Sequence, residues 1–530
     1  MGRSLVHIIG KTDMVRENSA SVERIMFYCC CILSASPLLF SYYPPMIDLP
    51  QHAAQIATLG QLDSPEFAFG HLLSVNWWVP YRGGYSLLWV LSQWMPIHLA
   101  VKFLLGAVIM AIPLTASRLR AFGGGDPSWD WLMLPIAYGL AFQWGFLNFF
   151  VAVPVVLAFL LYFFKYVARP SLLAALGVAL FTLLLLYMHV LAAAFACGLA
   201  LLYTIFDNTD KRQKFLLTIP LFSPLIPTLF WFLNALATSE QARSSGDWGL
   251  GWHRPLEVLA SSIGLPMDYT LSVHKTFGPA AWMLSLLLVA LPLFQGARLT
   301  QDRRLLALFV AYVVWMMLGP GTVFGNSFTY QRFAIFGLPL FLLILVQSTG
   351  AKRPVARWSG ILVYLLPVML IVSNCVRFSR FEDESQAYRV IASKMEPGKR
   401  ALTLVFESFG AAVKLPVYVH FPSWYQAESA GLVDYSFTQS RLLLSYREGV
   451  RSPVHRGFEW MPGSFDWLQN QGRLFNYFVV RSSSEPSIST LASDAGCQVV
   501  LIERVEKWWL YEQLPQSNGT PGICLQGHVN

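Results

Sequence analysis

Charge is what this sequence has least of. Asp, Glu, Lys and Arg make up only 13% of its 530 residues, against 55% hydrophobic ones. A soluble chain of this length needs far more charge to coat its surface, so most of the surface faces lipid. Several chemical signatures are missing too. There is no Walker A loop, no GxGxxG after a strand, no HExxH and no GxSxG, which leaves ATP-driven transport without support in this chain. No CxxC pair and no Cys/His zinc spacing occurs. Of the seven cysteines, Cys29, Cys30, Cys31, Cys197 and Cys375 lie in or beside apolar runs, where they read as small hydrophobes. Cys497 and Cys524 lie in the polar C-terminal part and are able to pair if that part is exported to an oxidising compartment.

The net charge of +8 invites a nucleic-acid reading. The positions of the charges reject it, since Lys and Arg sit in short clusters between apolar runs, as membrane topology requires. No basic stripe with interleaved aromatics is present, so nucleic acid is not an expected partner.

Apolar runs of about 20 residues read as membrane-spanning helices. Eleven are expected, near 25–43, 97–117, 129–146, 148–166, 171–188, 190–206, 215–236, 279–295, 305–320, 332–348 and 358–376. The first is too long for a signal-peptide core and reads as a retained helix. The stretch Gly84 to Trp94 is apolar but short, and Pro96 ends it; it reads as a juxtamembrane or re-entrant helix. With this count, Arg3 to Arg24, Arg118/Arg120, Lys165/Arg169, Lys211 to Lys214, Arg298 to Arg304 and Lys352 to Arg357 all fall on one side, the cytoplasm. An odd number of spans then exports the C-terminus.

The expected organisation is a cytoplasmic segment 1–24, a transmembrane domain 25–376 with exported loops 44–83 and 237–278, and an exported domain 377–530. That last part has ordinary soluble composition. A helix is expected near Glu384–Met395, and strands at Ala401–Phe406, Tyr477–Val480, Val499–Ile502 and Trp508–Tyr511, which suggests a small α/β domain.

The strongest local signal is Ile47-Asp48-Leu49-Pro50-Gln51-His52, directly after the first span. A carboxylate there, near the membrane surface and partly shielded from water, suits a general base towards a hydroxyl or a ligand for a divalent cation. His52 follows four residues later. The plainer alternative is that Asp48 only caps a helix started by Pro50.

An aspartate in the first exported loop of a many-span protein resembles the GT-C class of membrane glycosyltransferases. The layout is similar along the whole chain: the long first loop, the short helix at Gly84–Trp94 and the exported tail. The resemblance implies an α-helical polytopic GT-C-like fold with a small C-terminal α/β domain. It implies transfer of a hexosyl or pentosyl group from a polyprenyl-phosphate-linked donor to a glycan, lipid or protein acceptor on the exported face. Asp48 is a single acidic residue where many of the class show a pair, so Mg²⁺ or Mn²⁺ dependence stays open, with Asp48 as the ligand if there is one.

Other polar residues gather at the same ends of the spans. Arg332 begins the tenth span and is suited to grip a lipid phosphate bidentately, with snorkelling as the alternative. Arg82, before the short helix, is a second phosphate candidate or a solvated charge. His189, Asn148, Gln143 and Trp144 line a substrate cavity or merely anchor helix ends. In the 237–278 loop, Asp247, Trp252, His253, Glu257 and Asp268 offer carboxylates and aromatic faces to a sugar, or are simply solvated. The aromatic-rich Tyr418 to Pro422 segment fits a membrane- or glycan-contacting surface, or a packed core. The expected setting is the inner membrane of a bacterium. Two rivals are a flippase for lipid-linked sugars and a non-catalytic assembly protein of an envelope polysaccharide machine. The flippase would carry mid-membrane polar groups and internal symmetry.

Overall fold

Most of the apolar runs form helices, and proline and glycine decide where they break. In a computed structural model the chain is described at residues 22–65, 67–77, 79, 81–237, 250–251, 278–323, 326–347, 356–413, 415–440, 443–488, 492 and 497–514. The first helix, α1 (Val22–Phe40), tightens into a 3₁₀ turn where Pro37 enters. Next come α2 (Leu49–Gln61), started by Pro50, and the ten-residue α3 (Gly83–Ser92). The long α4 (Ile97–Gly123) closes on left-handed Gly124, and the short α5 (Leu140–Trp144) on left-handed Gly145. α6 (Leu147–Ala168) leads to α7 (Leu172–Met188) and α8 (Val190–Ile205), which are separated by a single extended residue, His189. Then follow α9 (Lys211–Thr218), α10 (Leu225–Ala237), α11 (Gly278–Phe294), α12 (Arg303–Leu318), α13 (Gly337–Leu343), α14 (Ala356–Ala392) and α15 (Ser423–Ser429).

Four of these are long and apolar enough to cross a membrane: α1, α4, α6 and the Trp358–Ala392 part of α14. A fifth arises if Lys211–Phe222 and Leu225–Trp231, bent by 41°, count as one span. α7, α8 and Gln331–Leu343 are shorter apolar helices. The protein is an integral membrane protein, but eleven full spans are not confirmed. The expected span at 129–146 is not one helix. It divides into 3₁₀ turns at Pro127–Met133 and Ile136–Tyr138, then α5. Pro135, Gly139 and Gly145 interrupt it. Its apolar side chains are buried within the protein, Trp129 and Phe142 among the most completely. The run at 332–348 is likewise a 3₁₀ stretch, Gln331–Phe336, followed by the two-turn α13.

The C-terminal strands fall where β-branched and aromatic residues cluster. Leaving aside two-residue pairings, the strands are β1 (Leu73–Val75), β2 (Arg400–Val405), β3 (Leu432–Asp434), β4 (Leu444–Tyr446), β5 (Tyr477–Arg481), β6 (Val499–Val505) and β7 (Trp508–Gln513). Five of them form one sheet in the order β6-β7-β5-β2-β3. β5, β2 and β3 run parallel, while β7 is antiparallel to both of its neighbours.

Side chains alternate across a strand, so the sheet has two different faces. Leu402, Leu404, Phe478, Val480, Trp509 and Tyr511 pack into the domain's own core. Their neighbours Ala401, Val405, Tyr477, Val479, Trp508 and Leu510 join the same apolar cluster as the membrane helices. The sheet is therefore welded to the helices through one face. The helix expected at Glu384–Met395 is not separate. It is the far end of α14, which carries on past position 376 to Ala392. At 1.5 Å per residue, those 37 residues make a rod roughly 55 Å long.

The first loop is tied to the same domain. β1 pairs antiparallel with β4, Leu73 opposite Tyr446. α2 is buried on nearly every side, so its polar residues need partners. Gln51 donates to the Tyr435 carbonyl (3.1 Å) and accepts from the Phe437 N–H (3.0 Å). Gln55 accepts from the Leu444 N–H at 2.9 Å, and Thr58 accepts from the Gln426 amide at 2.9 Å.

Candidate active site at Asp48

Asp48 occupies the N-cap position of α2, yet its side chain makes no capping hydrogen bond. The helix start is held by other means. The Ile47 and Asp48 N–H groups donate to the carbonyls of Gln143 (3.1 Å) and Trp144 (2.9 Å). Gly145, at φ +91°, makes this approach possible: a Cβ there would lie 2.8 Å from the Asp48 nitrogen and 2.9 Å from that of Leu49. Only glycine suits both the conformation and the space. The α5–α6 turn thus clamps the backbone of Asp48 and leaves its carboxylate available.

That carboxylate is 15% exposed. Burial raises its pKa well above the ordinary value, and the charge of Glu459 adds to this. The Arg332 guanidinium and the Trp144 indole pull the other way. A carboxylate with raised proton affinity, still favoured as an anion by a nearby cation, is what a general base towards a hydroxyl requires.

Arg332 lies in the Gln331–Phe336 turn. Its guanidinium carbon sits 3.9 Å from the Phe146 ring centroid, and Nη2 donates to the Ser327 carbonyl at 2.9 Å. Nε is buried with no hydrogen-bond partner among the described residues. The cation acts electrostatically on Asp48, Tyr81 and His189. Beside it runs a narrow crevice walled by Gly139, Leu140 and Ala141 on one side and by Gln331, Arg332 and Ile335 on the other. A half-satisfied guanidinium at such a crevice has donors left for an anion.

His189 caps α8, its Nδ1 accepting from the Leu191 N–H at 3.2 Å. Its ring packs edge-on against Tyr81 (4.8 Å) and Phe149 (5.2 Å). Asp48, Arg332, Trp144 and His189 therefore form one neighbourhood, though they come from separate stretches of chain. The remaining polar residues support it. Asn148 accepts from the Tyr85 N–H at 3.2 Å, and the Tyr85 hydroxyl meets His52 Nδ1 at 2.7 Å. The His52 ring also donates to the Gly145 carbonyl. His52 is thus a strut between α3 and the Gly145 turn, and burial lowers its pKa to about 4. Gln143 donates its amide to the Tyr138 carbonyl at 2.7 Å. Arg82 turns towards the Trp77 ring (5.7 Å) and the Asn76 carbonyl (3.5 Å).

Three further neighbours of the site carry no motif in the sequence. His420 Nε2 lies 3.6 Å from Asp48 Oδ1, and its side chain is almost fully buried. Burial and the nearby His52 lower its pKa to about 3, so it stays neutral. Glu459 and Trp460 come from the same domain, in a 3₁₀ turn at Phe458–Trp460. The only sequence signal was the aromatic density around His420.

Asp247, Trp252, His253, Glu257 and Asp268 lie outside the described residues, as does Cys524. Cys497 is engaged in a disulfide. Among the described residues no three His, Cys, Asp or Glu side chains gather as a metal set would.

No protein-family model and no curated protein matches the sequence. Among solved structures, the chain is similar to two cryo-EM classes of a point mutant of the arabinofuranosyltransferase AftD from Mycobacteria. One shares 14% identity over 92% of this chain and 41% of that one, with a TM-score of 0.48. The other shares 13% identity over 93% and 41%, with a TM-score of 0.41. The chain thus spans less than half the length of these structures.

Proposed function

We propose that this protein is a GT-C-like membrane glycosyltransferase acting on the exported face of a bacterial plasma membrane. In this reading the N-terminus is cytoplasmic, and the 44–83 loop, the 237–278 loop and residues 377–530 lie on the far side. The observation that carries the proposal is the pairing of a carboxylate freed from helix capping, Asp48, with a half-satisfied guanidinium, Arg332, in one partly buried neighbourhood.

The chemistry follows from that pairing. A polyprenyl-phosphate-linked sugar enters laterally between the helices, and Arg332 holds its phosphate. Asp48 takes the proton from an acceptor hydroxyl as that oxygen attacks the anomeric carbon. The new C–O bond forms on the face opposite the breaking C–O bond, so the configuration inverts. The departing electron pair goes to the phosphate, where Arg332 stabilises the charge. His52, Asn148, Gln143 and Gly145 position the base. His189 and Trp144 line the site, and the Trp144 indole, bonded to Asp48, offsets part of the rise in its pKa that burial causes. Arg82 sits further round, towards Trp77.

The test is glycosyl transfer by the purified protein in lipid nanodiscs with polyprenyl-phosphate-linked sugars. Asp48→Asn should fold normally and lose roughly 100- to 10,000-fold in turnover. Unchanged product formation by that variant would remove Asp48 from the chemistry.

A further inference from the structure

The α/β domain does more than cover the site, because it inserts polar and aromatic groups into it. His420 enters beside Asp48, and its Nδ1 has no hydrogen-bond partner among the described residues although the side chain is only 4% exposed. An unsatisfied buried nitrogen is costly unless something supplies a hydrogen bond. Glu459 Oε2 is likewise buried and without a partner among the described residues, although the carboxyl group as a whole is bonded by the Trp460 indole and its own backbone N–H. Next to them Trp460 stands 49% exposed, its ring 6.4 Å from that of His420 in an edge-on arrangement, and Met461 is 53% exposed. Two unsatisfied polar atoms beside an open aromatic face make a small but specific recognition surface. A lipid tail would leave both polar atoms unpaired. A saccharide would satisfy them, because its hydroxyls both donate and accept while one ring face is apolar enough to lie on an indole.

We propose that His420, Glu459 and Trp460 form the acceptor subsite, so that the acceptor is a saccharide seated on the C-terminal domain. Trp460 stacks on the sugar ring, and Glu459 and His420 bond its hydroxyls. One hydroxyl is thereby brought to Asp48, the residue 3.6 Å from His420. The inference rests on the reading of Asp48 as the base.

Binding and chemistry can be separated. The full-length protein in nanodiscs is titrated with methyl glycosides of glucose, galactose, mannose and arabinose, and saturation transfer to the sugar protons is read by NMR. Binding of at least one glycoside is expected. Trp460→Ala should weaken it by roughly three- to tenfold, while Trp460→Phe keeps most of it. Glu459→Gln should weaken it without lowering thermal stability. Asp48→Asn should bind glycoside as well as the parent protein does. No saturation transfer from any of the four glycosides, or equal transfer in the parent and Trp460→Ala, would overturn the subsite. Glycoside binding that depends on Trp460, together with full turnover in Asp48→Asn, would keep the subsite and overturn only the base. Acceptance of a lipid alcohol or a peptide as sole acceptor, with no glycoside bound, would assign the acceptor to another class.

Discussion

His420 Nε2 and Asp48 Oδ1 stand 3.6 Å apart, although 372 positions separate the two residues in the sequence. One belongs to the first loop after α1, the other to the α/β domain. The contact is longer than a hydrogen bond, and the imidazole is neutral, so it is a juxtaposition rather than an ion pair. It joins the two parts of the molecule at the carboxylate proposed to do the chemistry.

The pH dependence of transfer should report the surroundings of Asp48. A base works only when ionised, and burial raises the pKa of Asp48 well above the usual carboxylate value. The acid limb of the rate profile should therefore lie at higher pH than an ordinary aspartate would give. Arg332 lowers that pKa, so Arg332→Gln should move the limb to still higher pH and raise KM for the donor. Glu459 raises it, so Glu459→Gln should move the limb down. Limbs that coincide in all three proteins would show that Asp48 does not set the rate.

Thermal stability in nanodiscs should fall in mild acid. Burial lowers the pKa of His52 to about 4 and of His420 to about 3, from an ordinary value of 6.5. A depressed pKa means that the folded state binds the proton later than the unfolded chain does. The stability linked to these residues is then complete above pH 6.5 and is lost as pH falls towards 4 and below. Replacing either with glutamine should flatten the dependence of Tm on pH in that window. A Tm independent of pH between 7 and 4 in the parent protein would contradict this.

Gly145→Ala should cost both stability and turnover. The added Cβ would sit 2.8 Å from the Asp48 nitrogen, at a φ that side chains rarely adopt. The turn must move, and the base moves with it. Misplacement of about 1 Å at a reacting group can cost roughly 100-fold in rate. Wild-type turnover in the alanine variant would show that the clamp is unimportant.

Gln51→Ala tests the docking of α2. It leaves the Tyr435 carbonyl and the Phe437 N–H without the side chain that serves both. A cost of about 1–3 kcal/mol is expected for buried groups left unpaired, measured as a fall in Tm. A neutral effect would mean that water replaces the amide.

How far the sequence revealed this arrangement differs from element to element. The strands at Arg400–Val405 and Tyr477–Arg481 were legible because β-branched and aromatic residues cluster between turn residues. The start of α2 is legible because Pro50 follows a long apolar run. The 129–146 run misled, because hydrophobicity reports burial and not helical continuity. Its prolines and glycines broke it into turns that pack inside the protein. The end of α14 misled in the opposite sense. Arg377, Arg380 and Glu382 stop the apolar run, yet charge does not stop a helix, and the turns continue to Ala392. His420 could not be placed at all. Its position depends on how the sheet docks onto the membrane helices, which no local pattern records.

The unbroken α14 has a mechanical consequence. A flexible linker would let the C-terminal domain tumble over the bilayer and meet substrate at any height. A rigid stem fixes both its altitude and its heading. A bilayer that is too thick or too thin would tilt that stem and strain the seam where the domain, with α2 pinned to it, meets the membrane helices. The lipid around the protein would then act as its alignment jig, and changing acyl-chain length should alter the proposed transfer without touching a single residue.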